Sequence, residues 1–209
     1  MYVSMSFAET DVAKLHEFIE QNSFGVLVTQ VAGEQFASHL PFLLDRNAGP
    51  HGTLIGHMAR ANPQWKEAEG QELLVIFSGP HVYVSPAWYE AVEVVPTWNY
   101  IAVHVYGKLT LIDDPPALLD IVRSTVQLYE ATFPKPWELN APVEFVEKLL
   151  RQIVGFRIEI SRIEGKWKLS QNQPLERRQR VIRELKRRDD EVSQAIAAAM
   201  ERTLPGQES

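Results

Sequence analysis

The sequence predicts an α+β fold built on a small, mostly antiparallel β-barrel, and three observations carry that prediction. Runs of strand length follow one another between residues 24 and 113, separated by Gly, Pro and Asn. Two blocks of helical period follow Asp113, each preceded by prolines. A strand pattern then returns, with Phe156, Ile158 and Ile160 alternating with Arg157 and Glu159, before a last helical block. Strands in succession, then helices, then one more strand is the order of an α+β barrel rather than of alternating βα units. The chain shows no internal repeat.

The elements follow from local chemistry. "SFAETDVAKLHEFIEQNSFG" reads as an amphipathic helix with Val12, Leu15, Phe18 and Ile19 on one face, His16 toward solvent, and Asn22 and Gly25 as the stop. "FGVLVTQV" is the first strand of the run. "EQFASHLPFLLD" is the second, with Phe36, Ser38, Leu40, Phe42 and Leu44 on one side. "RNAGPHG" turns the chain into "TLIGHM". Asn62 and Pro63 read as the N-cap and first-turn proline of a helix ending at Ala68. "ELLVIFS" is an apolar strand bounded by Gly-Pro, and "HVYVSPAWY" an aromatic segment broken by Pro86. "VPTWNYIAVHVYG" continues into "KLTLID". "PPALLDIVRSTVQLYEATF" and "PVEFVEKLLRQIVG" are helices, and "FRIEISRIEGKWKLSQN" is the returning strand. Residues 174–203 read as a polar helical arm and "LPGQES" as a frayed tail. The expected division is therefore a barrel domain over 1–172 and a C-terminal helical extension over 173–209.

Composition excludes several classes. The chain has no cysteine, which removes disulfides, thiolate metal sites and thiol catalysis, and fits a reducing cytoplasm. "MYVSMSFAETD" has neither a basic nor an apolar signal region, and no apolar run is long enough to span a membrane. A net charge of −6 argues against a surface that binds nucleic acid throughout. The G-x-S-x-G, H-E-x-x-H, P-loop and G-x-G-x-x-G patterns are missing. His39, His57, His81 and His104 lie on or beside strands. They read either as metal or haem ligands or as ordinary hydrogen-bonded histidines, and without carboxylates at ligand spacing no metal site is expected.

Two segments suggest a ligand. "GHMARANPQW" ends a strand, places Arg60 after it and opens a helix, which suits phosphate; a capped helix with a solvated arginine fits equally. In "VPTWNYIAVHVYG", parity puts Asn99, Ile101, Val103 and Val105 on one face and Trp98, Tyr100, Ala102, His104 and Tyr106 on the other. The first face is core. The aromatic face needs a cover, whether from elsewhere in the chain, from a second protomer or from a planar ligand.

"SHLPFLL", "GHMARANPQW", "FSGPHVYVSPAWY", "VPTWNYIAVHVYG" and "GKWKLSQN", in that order, resemble the PaiB family of FMN-binding split-barrel proteins, often described as negative transcriptional regulators. The resemblance covers nearly the whole chain. It implies a split β-barrel, related in architecture to pyridoxamine-phosphate oxidases, that forms a homodimer with FMN at the interface. It implies that Ser38, His39 and Leu40 lie along the isoalloxazine ring. His57, Met58, Arg60 and Asn62 would hold the phosphate and ribityl chain. Trp98 and Tyr100 would reach the flavin or the partner, and Lys168, Gln171 and Asn172 would close the site or the interface. Ala59 departs from related flavin barrels, which often place a hydroxyl there for phosphate.

For a regulator, the candidate DNA contact is "ERRQRVIRELKRR", with seven basic and two acidic residues. Its cations are Arg177, Arg178, Arg180, Arg183, Lys186, Arg187 and Arg188, and a solvated helix face is the competing reading. Two other functions fit a flavin barrel. One is an FMN-dependent reductase or oxidase of a small molecule, with His39, His81 or His104 moving a proton. The other is a haem-binding barrel.

Overall fold

A computed structural model of the chain describes residues 1–206. Its strands are β1 (Ala8–Glu9), β2 (Phe24–Val31), β3 (Glu34–Pro41), β4 (Leu43–Asp45), β5 (Thr53–Ala59), β6 (Glu72–Val84), β7 (Thr97–Ile112) and β8 (Ile153–Lys168). Its helices are α1 (Val12–Gln21), α2 (Trp65–Ala68), α3 (Pro115–Glu130), α4 (Val143–Leu150), α5 (Leu175–Lys186) and α6 (Glu191–Arg202), with short 3-10 turns at Met5–Phe7 and Pro86–Tyr89. The strands run in the order β3-β2-β6-β7-β8-β5-β4, and β1 pairs with β8. The β2–β3, β2–β6, β4–β5, β5–β8 and β1–β8 pairs are antiparallel.

Contacts divide the chain into two compact units. A barrel unit holds Val12–Phe77 and His104–Ile163, and a terminal unit holds Met1–Asp11, Ser78–Val103 and the chain from Glu164 onward. The C-terminal helices thus group with 78–103, where the sequence suggested a single cut after Asn172. Of the expected frayed tail, 207–209 lie outside the described residues.

In the barrel unit, Leu27, Phe42, Leu54, Val75, Phe77, Val105, Phe156 and Ile158 are fully buried. The Phe42 ring meets Phe77 and Phe156 edge-on, at centroid separations of 5.6 and 5.9 Å. Each such ring contributes roughly 1.5–3 kcal/mol through removal from water. Phe42 also interrupts the expected long strand. Its N–H donates to the Ser23 carbonyl at 2.9 Å, one residue beyond the last β2–β3 pair, and "EQFASHLPFLLD" divides there into β3 and β4. β7 and β8 pass closely, since a Cβ at Gly107 would lie 2.3 Å from the Glu159 carbonyl oxygen. His16 is buried rather than solvent-facing, because the turn before β5 folds over α1 and brings the His51 carbonyl to 2.9 Å from His16 Nε2.

In the terminal unit, residues 174–203 form two helices rather than one polar arm. Val181, Ile182 and Leu185 of α5 are buried, as are Ile196, Ala197, Ala199 and Met200 of α6. Asp190 breaks the run by capping α6, its Oδ1 accepting from Ser193 N–H at 2.8 Å. Hydrogen bonds from Arg188 and Ser193 pull its carboxyl down to about 2. β6 passes through Gly79 and Pro80 without a break, joining two segments that read separately in the sequence.

Candidate functional site

In the barrel unit, β3 is last in the strand order, so its outer edge has no strand partner among the described residues. Register sets Ser38 opposite Leu27, His39 opposite Val26 and Leu40 opposite Gly25. Ser38 and Leu40 are half-buried, while His39 is exposed and stacks near Phe24. Asn62 Nδ2 donates to Ser38 Oγ at 2.8 Å, tying the turn after β5 to β3. The Asn62 oxygen accepts from Gln64 N–H at 3.0 Å. Gln64 is wholly buried, and its Nε2 donates to Leu27 O, Thr29 Oγ1 and Phe36 O at 3.1–3.3 Å.

In this unit Gln64 Oε1 and His57 Nδ1 are buried and have no hydrogen-bond partner among the described residues. Burial lowers the His57 pKa below the ordinary histidine range, which favours the neutral ring. Met58 alternates inward and is core. The exposed Ala59 ends the strand with no polar group to offer.

The helix expected from Pro63 starts only at Trp65 and is a single turn. Asn62 closes a local turn through Gln64 N–H instead of capping a longer helix, so α2 has too few aligned peptides to cradle an anion. Arg60 is held by its own chain. Its Nε donates to Arg151 O at 3.0 Å and its Nη2 to Ile153 O at 2.9 Å, and the same nitrogen pairs with Asp113. The guanidinium lies on a cavity of about 320 Å3 that Asp113, Leu118 and Glu147 also line.

The parity of β7 holds residue by residue. Asn99, Ile101, Val103 and Val105 are buried, while Tyr100, Ala102, His104 and Tyr106 are half-buried and Trp98 is 53% exposed. The chain itself caps part of the aromatic face. In the barrel unit the Arg162 guanidinium lies 3.6 Å from the Tyr106 ring centre, and in the terminal unit Lys166 Nζ lies 5.3 Å from that of Tyr100. Trp98 is left with His81 and Tyr83 around a cavity of about 380 Å3.

Also in the terminal unit, Lys168 Nζ donates to Trp98 O at 2.6 Å and to Thr97 Oγ1. Gln171 spends both ends on its own turn, accepting from Leu169 N–H at 2.7 Å and donating to Trp167 O at 2.6 Å. Asn172 is exposed. Asn99 is fully buried and exchanges two hydrogen bonds with Ser170, at 3.0 and 3.1 Å.

The basic helix is largely satisfied internally. Arg178 is buried and donates to Thr203 O at 2.6 Å and to Thr203 Oγ1 at 2.7 Å. Arg180 pairs with Glu176 and Glu90, Lys186 with Glu201, Arg187 with Glu184 and Arg188 with Asp190. Arg177 donates to Gln173. Sequence reasoning missed Gln64, Asp113 and Lys166. Gln64 sits directly after the Asn-Pro pair and was the most visible of the three; the partners of the other two are distant in sequence.

Comparisons place this geometry among known proteins. Residues 1–162 match a family described as "Putative FMN-binding domain". "Protease synthase and sporulation protein PAI 2" of Bacillus subtilis is 36% identical over 210 residues, covering 99% of this chain and 100% of that protein. Among solved structures, the flavocytochrome Anf3 from Azotobacter vinelandii superposes with a TM-score of 0.61 at 18% identity, over 79% of this chain and 72% of that one. The FAD and heme binding protein from Mycobacterium smegmatis superposes with a TM-score of 0.53 at 14% identity, over 77% of this chain and 73% of that one. These two likenesses are of fold.

Proposed function

The chain belongs to the PaiB family of FMN-binding split-barrel proteins, and from that premise we propose that it works as a homodimer whose flavin serves negative control of transcription. FMN is the cofactor of the family, and the residues present fit it. A flavin needs polar groups along its ring and ribityl chain and a cation for its phosphate. The Ser38–Asn62 hydrogen bond on a strand edge with no strand partner among the described residues supplies the first and is the observation that carries the reading. Arg60 supplies the second on one condition. Asp113, 68% exposed, is the partner that a phosphate has to replace. When bound, FMN supplies reversible electron transfer.

The dimer rests on exposed aromatic area. Trp98 at 53% and Tyr83 at 45% meet edge to face at 5.9 Å and lack a full cover within their unit. Regulation is favoured because the Bacillus relative is named for a cellular programme, sporulation, as well as for protease synthase. We place the DNA contact on the exposed cations Arg183 and Lys186 of α5 and Arg187 and Arg188 just after it. Three of these already hold acidic partners, so retention on duplex DNA should be weak and lost at modest salt.

Reconstitution with FMN tests the cofactor: a flavin absorbance spectrum supports it, and a Soret band with haem in its place contradicts it. Sedimentation tests the dimer, with Trp98→Ala plus Tyr83→Ala shifting the protein toward monomer. The absence of retention on duplex DNA at low salt would overturn direct DNA contact.

A further inference from the structure

The terminal unit carries two ammonium groups, Lys166 and Lys168, without an acidic partner among the described residues. Lys166 is 7% exposed; it donates to Tyr2 O at 2.9 Å and lies over the Tyr2 and Tyr100 rings. Lys168, two residues on and on the same strand face, donates to Thr97 Oγ1 and Trp98 O, leaving one of its three N–H groups unassigned. Neither forms an ion pair among the described residues. Burial first, and the Lys166 charge second, hold the Lys168 ammonium below the usual lysine range. A cation kept partly out of water beside another cation is costly unless an anion joins it.

Lys168 lines a cavity of about 260 Å3. Phe7, Tyr89, Val94 and Val95 form its apolar wall, and Thr97 and Asn172 lie on its polar side. The acid on its rim, Glu93, is exposed and pairs with neither lysine. We propose that Lys168 and this cavity bind a small organic carboxylate with an apolar tail, at a site separate from the flavin. The remaining Lys168 N–H meets the carboxylate and the apolar wall takes the tail. One available donor and apolar walls suit a monoanion. A phosphate dianion would ask for more donors and would meet Glu93 at the rim.

The test is calorimetric titration of the full-length protein with benzoate, in FMN-free and FMN-loaded forms, with neutral benzamide as the comparison. Benzoate should bind saturably and equally in both forms, at least tenfold more tightly than benzamide. Lys168→Met should lose at least tenfold in benzoate affinity, and Lys168→Arg should recover part of it. Benzamide binding as tightly as benzoate would overturn the proposal without any variant. So would an absence of saturable benzoate binding, or release of FMN by benzoate, the last of which would assign the lysine to the flavin.

Discussion

Arg60 and Lys168 are both cations that the family resemblance puts at the flavin site or its interface, and the fold treats them in opposite ways. Arg60 is bound by two backbone carbonyls and a carboxylate, so its charge is balanced before any ligand arrives. Lys168 is held by a hydroxyl and a carbonyl with no acid among the described residues, so these acceptors leave its charge unbalanced. For Arg60 the two carbonyls fix the guanidinium and Asp113 is the exchangeable partner. For Lys168 the neutral acceptors fix the ammonium and the counter-ion has to come from outside. Residue type and motif do not separate these cases, whereas the list of acceptors does.

The contrast can be broken by substitution. The largest effect should come from Arg60→Ala, which leaves the Arg151 and Ile153 carbonyls without their donor. Folding stability should fall by about 1–3 kcal/mol in denaturant titration, and FMN affinity should drop at least tenfold. Unchanged affinity would make Arg60 a brace and nothing more. Asp113→Asn should act in the opposite direction on binding. It releases the guanidinium, so FMN should bind a few-fold more tightly, while stability changes by less than about 1 kcal/mol because the pair is exposed. Weaker binding would show that Asp113 positions Arg60 rather than competing for it.

The smallest effect concerns pH. The folded pKa of His57 is depressed below its unfolded value near 6.5, so the unfolded state takes up the proton first. The contribution of the neutral ring is complete above about pH 6.5 and is lost as pH falls through the folded value. Denaturation midpoints measured across that window should decline for the wild type and flatten for His57→Gln. Parallel slopes would remove His57 from the account.

Much of the fold was legible because strand periodicity depends on neighbours two residues away. The Trp98–Tyr106 parity is an example, since each side chain's face is set by position alone. What could not be read depends on partners far along the chain. Phe42 separates β3 from β4 and buries its ring against Phe77 and Phe156, both distant in the chain. His16 is buried because a carbonyl 35 residues away reaches it. The strand end, Arg60 and Asn-Pro turn of "GHMARANP" were visible, but not that α2 would be a single turn or that Arg60 would pair with a residue 53 positions on. The basic run of α5 was equally visible, and its acids at Glu90, Glu201 and Asp190 lie on other elements or at the cap of the next helix.

The central claim is that FMN sits against β3 and the turn after β5, held through the Ser38–Asn62 pair. The most direct measurement is quenching of flavin fluorescence on titration of FMN-free wild type and Asn62→Ala. Wild type should saturate, and Asn62→Ala should need at least tenfold more protein to reach the same quenching. Superimposable curves would contradict the account.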